Sequence, residues 1–191
     1  MRNVLRVFAA LALLAMSVVG AQPALAKGGH CVYRLEPIHQ QRLTGAIPAK
    51  LKLVGCYAHF RDAVAVGSRG SIQLAADASP ASLTEGELLA GSSASSRVTV
   101  MIGTEYNGTA FIGASNSYFA TTTCTASTTW EVANVGAAWN DMFESGRGFG
   151  GCHTNKKFRN TNFGGAVVTC TPNCSDYGAL DNQVSSLRWR V

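Results

Sequence analysis

The chain has 191 residues, of which 47% are apolar, 14% charged and 8% aromatic, with 20 glycines. This excludes disorder throughout, collagen-like repeats and coiled coils, and it requires a packed core. The formal charge of +5 falls to +3 (14 basic against 11 acidic) once Arg2 and Arg6, which belong to the export signal read below, are set aside, and this balance is too weak to argue for a nucleic-acid partner.

The N-terminus reads as an export signal. Arg2 and Arg6 precede an apolar run from Val7 to Ala15 that continues through Met16 to Ala21 and ends in Ala24-Leu25-Ala26 before Lys27. A basic start, an apolar stretch and an A-x-A site define a secretory signal over residues 1–26, with cleavage expected after Ala26. The apolar stretch is short for an anchor, and no cysteine stands at the cut to accept lipid. Beyond residue 26 no run approaches the roughly 20 apolar residues of a membrane span, so the mature chain is expected to be secreted, with no membrane-embedded part.

Residues 27–90 read as a small α+β extension. Leu51 to Val54 is expected to be a short strand, Phe60 to Val66 a short amphipathic helix capped by His59 and ended by Gly67, and Ser71 to Leu74 a second strand. Thr84-Glu85-Gly86-Glu87 fits a capping box before Leu88-Leu89, the Thr hydroxyl accepting from the Glu87 N–H while the Glu carboxylate reaches back. Residues 91–96, Gly-Ser-Ser-Ala-Ser-Ser, bury little apolar surface and read as a linker. After Arg97 the alternation of Val98, Val100 and Ile102, followed by Thr, Asn and Gly with short apolar runs, indicates an antiparallel β domain over 97–191.

An internal repeat organises this second half. Residues 106–113 (Tyr-Asn-Gly-Thr-Ala-Phe-Ile-Gly) and 158–165 (Phe-Arg-Asn-Thr-Asn-Phe-Gly-Gly) share one frame: aromatic, four residues, aromatic, one residue, glycine. Further on, residues 136–145 parallel 177–186, each ending in an Asn/Asp pair, two residues and a Ser-containing pair. The first feature suits a folded-over hairpin in which one ring lies across the bend and glycine supplies room or a positive φ. The second offers hard oxygen donors that backbone carbonyls could complete to a Ca²⁺ shell; an Asx or Ser turn capping its own backbone is the simpler alternative.

All six cysteines lie beyond residue 26, and an even count in an oxidising compartment implies up to three disulfides. If 158–165 is a bend centred on position 161, Cys152 and Cys170 face each other and should pair. Elimination together with the domain boundary at 91–96 then leaves Cys31 with Cys56 inside the N-terminal piece and Cys124 with Cys174 in the β domain. A zinc site from Cys152, His153, Cys170 and Cys174 has poor spacing, and no C-x-x-C is present for redox work. No G-x-S-x-G, H-E-x-x-H or Gly-rich phosphate loop occurs. His30, His39, His59 and His153 stand in unrelated contexts, and Lys156-Lys157 with Arg159 reads as a solvated basic turn. The chain is therefore read as non-catalytic.

On the doubled Y/F-x-x-x-x-F-x-G frame and on Asp181-Asn182-Gln183-Val184-Ser185-Ser186, residues 97–191 resemble a microbial βγ-crystallin domain. The resemblance implies a mainly β fold, two Greek-key motifs packed as a β-sandwich, with paired Ca²⁺ sites that each borrow oxygens from both signature loops. Carried over position by position, it implies ligands from Asn140, Asp141, Met142 and Glu144 and from Asp181, Asn182, Gln183 and Ser185, with either member of each Asn/Asp pair touching the ion. Glu144 departs from the pattern, standing where the family places a hydroxyl. Similar folds occur in small secreted bacterial metalloproteinase inhibitors and in crystallin-like killer toxins, and fold alone does not choose among them. The expected function is a secreted, disulfide-braced Ca²⁺-binding protein. The alternatives are an inhibitor presenting Cys170-Thr171-Pro172-Asn173-Cys174 to an extracellular protease, or a toxin or cell-wall-binding module.

Overall fold

The computed structural model describes residues 29–38, 45–90 and 99–191. The export signal at 1–26, the linker at 91–96 and His39 lie outside the described residues. The strands are β1 (His30–Pro37), β2 (Gly45–Tyr57), β3 (Val100–Tyr106), β4 (Ser115–Ala120), β5 (Thr128–Val132), β6 (Ser145–Gly148), β7 (Thr154–Phe158), β8 (Val167–Cys170), β9 (Asn173–Cys174) and β10 (Ser186–Arg190); two helices, α1 (Phe60–Gly67) and α2 (Glu85–Ala90), lie between β2 and β3.

The ten strands run in the order β8-β7-β10-β5-β2-β1-β4-β3-β6-β9. The order separates into two repeats, β3–β6 and β7–β10. In each, the first, second and fourth strands lie side by side, and the third crosses to the other repeat. Thus β5 pairs with β10 (Trp130 opposite Trp189), and β9 pairs with β6 (Cys174 opposite Gly146). The result is a mainly β sandwich of two interlocked Greek keys.

The β1–β2 hairpin is hydrogen-bonded into this sandwich. β1 pairs in parallel with β4, Cys31 opposite Asn116. β2 begins in parallel with β5, Ile47 opposite Trp130, and then turns to pair antiparallel with β1. One hairpin therefore covers two strands that would otherwise be open edges with unpaired N–H and C=O groups. The chain segments before and after residues 91–96 share one sheet.

Burial follows the pleat. β4 is buried along its whole length because its alternating side chains serve two cores. Tyr118 joins Trp130, Trp139, Phe143, Leu187 and Trp189 between the sheets, with Tyr33, Leu35 and Ile47 from the hairpin. Phe119 faces outward and meets Phe60, Ala63 and Val64 of α1, with Ile72, Leu83 and Leu88. At the end of α1, a Cβ on Gly67 would lie 2.2 Å from Cε2 of Phe119, so only glycine lets the helix seat on this ring.

The capping box forms: the Thr84 hydroxyl accepts from the Glu87 N–H at 3.2 Å, and Glu87 Oε2 accepts from the Thr84 N–H at 2.7 Å. His59 holds the cap position of α1, but its side chain makes no capping bond. Residues 71–74 are not a strand; there Ile72 turns inward, and its N–H donates to the Ser68 hydroxyl at 3.0 Å. Leu51 to Val54 is the middle of the much longer β2.

The disulfides are Cys31–Cys56, Cys124–Cys152 and Cys170–Cys174. The first is the pairing expected. The expected Cys152–Cys170 and Cys124–Cys174 bonds are corrected, and the reason is the register of the second arch. Phe158 lies opposite Val167 and Asn155 opposite Cys170, so the bend is centred between 162 and 163 rather than at 161. Cys152 consequently precedes β7 and meets Cys124, whose N–H donates to Gly150 O at 3.2 Å. Cys170–Cys174 instead ties β8 to β9, the two ends of the strand order. A second correction concerns Lys157, read as part of a solvated turn: its side chain is fully buried against Glu105.

Candidate functional site

The two arches have the same construction. Tyr106 and Phe111 stack edge to face at 5.7 Å, and Phe158 and Phe163 do so at 5.5 Å. Each bend passes through the left-handed region at two non-glycine residues, Ala110 and Phe111 (φ 55° and 64°) and Asn162 and Phe163 (φ 55° and 62°), a conformation that must be held by its surroundings. The holding group is the last serine of each signature. Ser145 Oγ accepts from the Phe111 N–H at 3.2 Å and donates to Gly108 O at 2.6 Å. Ser186 Oγ accepts from the Phe163 N–H at 3.0 Å and donates to Asn160 O at 2.7 Å. Each arch ring is then covered by a guanidinium: Arg147 stands 5.1 Å over Phe111 and Arg188 4.7 Å over Phe163. These arginines escaped the sequence reading. Their signal is there, since Ser145-Gly146-Arg147 and Ser186-Leu187-Arg188 extend the repeat by two residues.

The loops that end in these serines are joined to each other. Asp141 N–H donates to Val184 O at 3.2 Å, and in return Asn182 N–H donates to Phe143 O at 2.9 Å. Val135 N–H bonds Ser185 O at 3.0 Å, and Tyr177 N–H bonds Glu144 O at 2.8 Å. Each loop also reaches its own arch, Glu144 N–H to Tyr106 O and Ser185 N–H to Phe158 O, both at 2.9 Å. Exchange of equivalent bonds is the mark of a local pseudo-twofold relation. It matches residues 140–145 with 181–186, the pairing read from the sequence. Asp141 and Asn182 both have positive φ, 60° and 54°, at a position where Asp and Asn are the best tolerated residues after glycine.

All eight predicted ligand residues thus lie in two bonded loops. Asn140 Nδ2 donates to Asp141 Oδ2 at 2.6 Å, and Asn182 Nδ2 crosses to Glu144 Oε1 at 2.8 Å. Asp181 Oδ1 accepts from the Tyr177 N–H at 3.0 Å, and Gln183 Nε2 donates to Ala179 O at 3.0 Å. Asn134 and Asp176 hold the loop entrances by accepting from the N–H groups of Gly136 and Gly178. Asp141, Met142 and Asn182 are exposed, whereas Ser185 is buried. Partial burial raises the Asp181 carboxyl above its usual value; the Tyr177 N–H opposes this, and the neighbouring Asp176 and Glu144 carboxylates push it further up.

The chemistry fits a hard divalent cation. Among the described residues no three of His, Cys, Asp and Glu cluster as a ready metal site, so a cation would need amide, hydroxyl and backbone oxygens beside the carboxylates, which is the mixed set Ca²⁺ accepts. Neither 134–145 nor 176–186 contains Lys or Arg. The negative charge of Asp141, Glu144, Asp176 and Asp181 is therefore uncompensated within the loops. Asn140, Asp141, Glu144, Asp181, Asn182 and Ser185 would supply side-chain oxygens, and Met142 and Gln183 backbone carbonyls.

The five-residue ring closed by Cys170–Cys174 projects Thr171, Pro172 and Asn173 to solvent. It is fixed at its base, where Pro172 O accepts from the Gly148 N–H at 2.9 Å and from Asn155 Nδ2 at 2.7 Å.

No protein-family model matches the chain, and no curated protein does. Among solved structures, the chain is similar to a βγ-crystallin from an archaeon (22% identity over 47% of this chain and 96% of that one, TM-score 0.34). It is also similar to a βγ-crystallin domain from Flavobacterium johnsoniae (22%, 46% and 92%, TM-score 0.33) and to a double mutant of one from Clostridium beijerinckii (22%, 46% and 96%, TM-score 0.35). The resemblance covers about half the chain and concerns the fold.

Proposed function

We propose that this is a secreted, non-catalytic protein that binds Ca²⁺ between the loops 140–145 and 181–186. The observation that carries the reading is the reciprocal bonding of the two loops, which gathers three acidic side chains (Asp141, Glu144 and Asp181), Asn140, Asn182 and the Ser185 hydroxyl without a basic residue in either loop. Three disulfides among the six cysteines support an oxidising destination. With few full charges per loop, affinity falls on the order of 10⁻⁴ M or weaker, the range of extracellular modules. Isothermal titration of the mature, chelator-treated protein tests this; absence of heat and of any calcium-dependent rise in melting temperature overturns it.

A second reading is favoured by one observation, the exposed ring 171–173 closed by Cys170–Cys174 and anchored through Pro172. Such a braced loop suits a secreted peptidase inhibitor. Inhibition of a secreted metalloproteinase by the purified protein, lost when the ring is opened, would support it.

A further inference from the structure

Glu105 on β3 and Lys157 on β7 occupy the same place in the two repeats, one residue before Tyr106 and Phe158. They meet across the middle of the sandwich. Both side chains are fully buried, with Lys157 Nζ paired to Glu105 Oε1. The hydroxyl of Tyr177, itself buried, donates to Glu105 Oε2. The Lys157 nitrogen lies 5.6 Å from the ring centre of Trp189 and 5.9 Å from that of Tyr177. An ammonium has three protons to give; among the described residues one finds an oxygen, and the others face the rings of Trp189 and Tyr177. A buried ion pair needs its remaining donors satisfied to recover its desolvation, and among the described residues Glu105 is the one oxygen partner of this ammonium.

We propose that Lys157 and Glu105 are joined by a side-chain amide that forms within the folded chain. A proton first passes from the ammonium to the carboxylate, leaving an amine and a carboxylic acid. The Nζ lone pair then bonds to Cδ of Glu105, and the negative charge that develops on Oε2 is met by the Tyr177 hydroxyl. The Cδ–Oε1 bond breaks, and Oε1 departs as water carrying two protons that came from the nitrogen. The balance is –NH₃⁺ plus –COO⁻ giving –NH–CO– plus H₂O, with no oxidant, reductant or activating group.

In water this condensation fails because both ions must be neutralised and then brought together. Burial works against both obstacles. It lowers the affinity of Lys157 for its proton and raises that of Glu105, which favours the neutral pair. Holding amine and carboxyl in contact is worth an effective concentration of about 10⁵–10⁸ M, and a fixed donor at the developing oxyanion lowers the barrier further. The product removes the deficit noted above: one N–H remains in place of three, and the amide oxygen keeps the Tyr177 bond.

The test is the intact mass of the mature protein after reduction and denaturation, followed by a tryptic map. The expected mass is lighter than the sequence by one water. Trypsin should fail to cut after Lys157, and one branched peptide should contain both Glu105 and Lys157. Lys157→Met should restore the full sequence mass, and Tyr177→Phe should leave a mixture of full-mass and dehydrated chains. Full mass in the wild type, with the two residues in separate peptides, overturns the proposal whatever the variants do. So does a water loss mapped to any other residue. Complete linkage in Tyr177→Phe would overturn the part assigned to the phenol.

Discussion

In β3–β6 the ring pair Tyr106–Phe111, Ser145 and Arg147 stand where Phe158–Phe163, Ser186 and Arg188 stand in β7–β10, and they make the same contacts. At other equivalent places the repeats disagree. Glu105 faces Lys157; Asn140 corresponds to Asp181 and Glu144 to Ser185. The residues that agree are those the bent backbone requires. Those that disagree lie where the two copies meet, and there identity would be harmful: two carboxylates or two ammoniums in contact at the sandwich centre would repel in a low dielectric. A duplicated unit within one chain can place opposite charges on its own pseudo-twofold axis, which two identical chains could not.

The largest expected effects come from the covalent ties, which differ in what they connect. Cys124–Cys152 joins the first repeat to the turn entering the second over 28 residues, whereas Cys170–Cys174 closes 4 residues inside the second. On the chain-entropy relation, removing the first with paired Cys→Ser changes should cost about 3.5 kcal/mol and removing the second about 2 kcal/mol. Denaturant midpoints of the two double variants check the order. A larger loss from opening Cys170–Cys174 would mean that closing β8 to β9 stabilises the native sandwich directly.

The arch serines provide the next test, since they are the sharpest point of agreement between the repeats. Each bridges a backbone N–H and a carbonyl that otherwise lack that partner. Ser145→Ala and Ser186→Ala should each cost about 1–3 kcal/mol, and by similar amounts if the two arches are one device. Melting curves of both variants decide this. A variant that loses nothing would show that its arch is held by the ring pair and arginine alone.

Where the sequence was legible, local rules sufficed. The capping box at Thr84 and the matching of 140–145 with 181–186 rest on spacing within one element or on repetition, whereas the Cys31–Cys56 bond was reached by elimination from a pairing that did not form. The β1–β2 hairpin was invisible because its partners β4 and β5 lie far along the chain and because Pro48 argues against a strand. Pro48 is tolerated where β2 passes from pairing with β5 to pairing with β1. The register of the second arch was missed because Asn162 and Phe163 adopt positive φ without being glycine, which displaces the centre of the bend. The burial of Lys157 required knowing its partner 52 residues away. Extending the repeat alignment one residue upstream would have set Glu105 beside Lys157 as equivalent positions.

Calcium should reveal a smaller difference. At roughly 1 mM free Ca²⁺, a site of about 10⁻⁴ M stabilises the fold by about 1.4 kcal/mol. Ser185→Arg, which removes a hydroxyl and adds a cation to the loop, should abolish most of this gain. Glu144→Gln asks the matching question of the first loop. A reduced calcium response in Glu144→Gln shows a carboxylate serving where the second repeat has a hydroxyl, and an unchanged response shows that Glu144 only holds Asn182.

The smallest effect is a pH dependence that belongs to one repeat alone. Asp181 titrates, and its counterpart Asn140 does not. In the metal-free protein partial burial, with Asp176 and Glu144 adding to it, raises the Asp181 carboxyl. The folded state therefore holds its proton to higher pH than the unfolded chain does. Between the two titrations the native state binds more protons, so this residue's contribution to stability is present at low pH and is lost as pH rises through the carboxylate range. Asp181→Asn should flatten that segment of the curve, read as melting temperature between about pH 4 and 7 in the presence of chelator. Calcium should reverse the sign, because a cation favours the ionised carboxylate and its binding would release the proton. Tighter calcium binding on going from acid to neutral pH in the wild type, with no such change in Asp181→Asn, would place the ion at the second loop's carboxylate. An identical pH profile in both proteins would move it to the first loop, where Asp141 and Glu144 are the acids available.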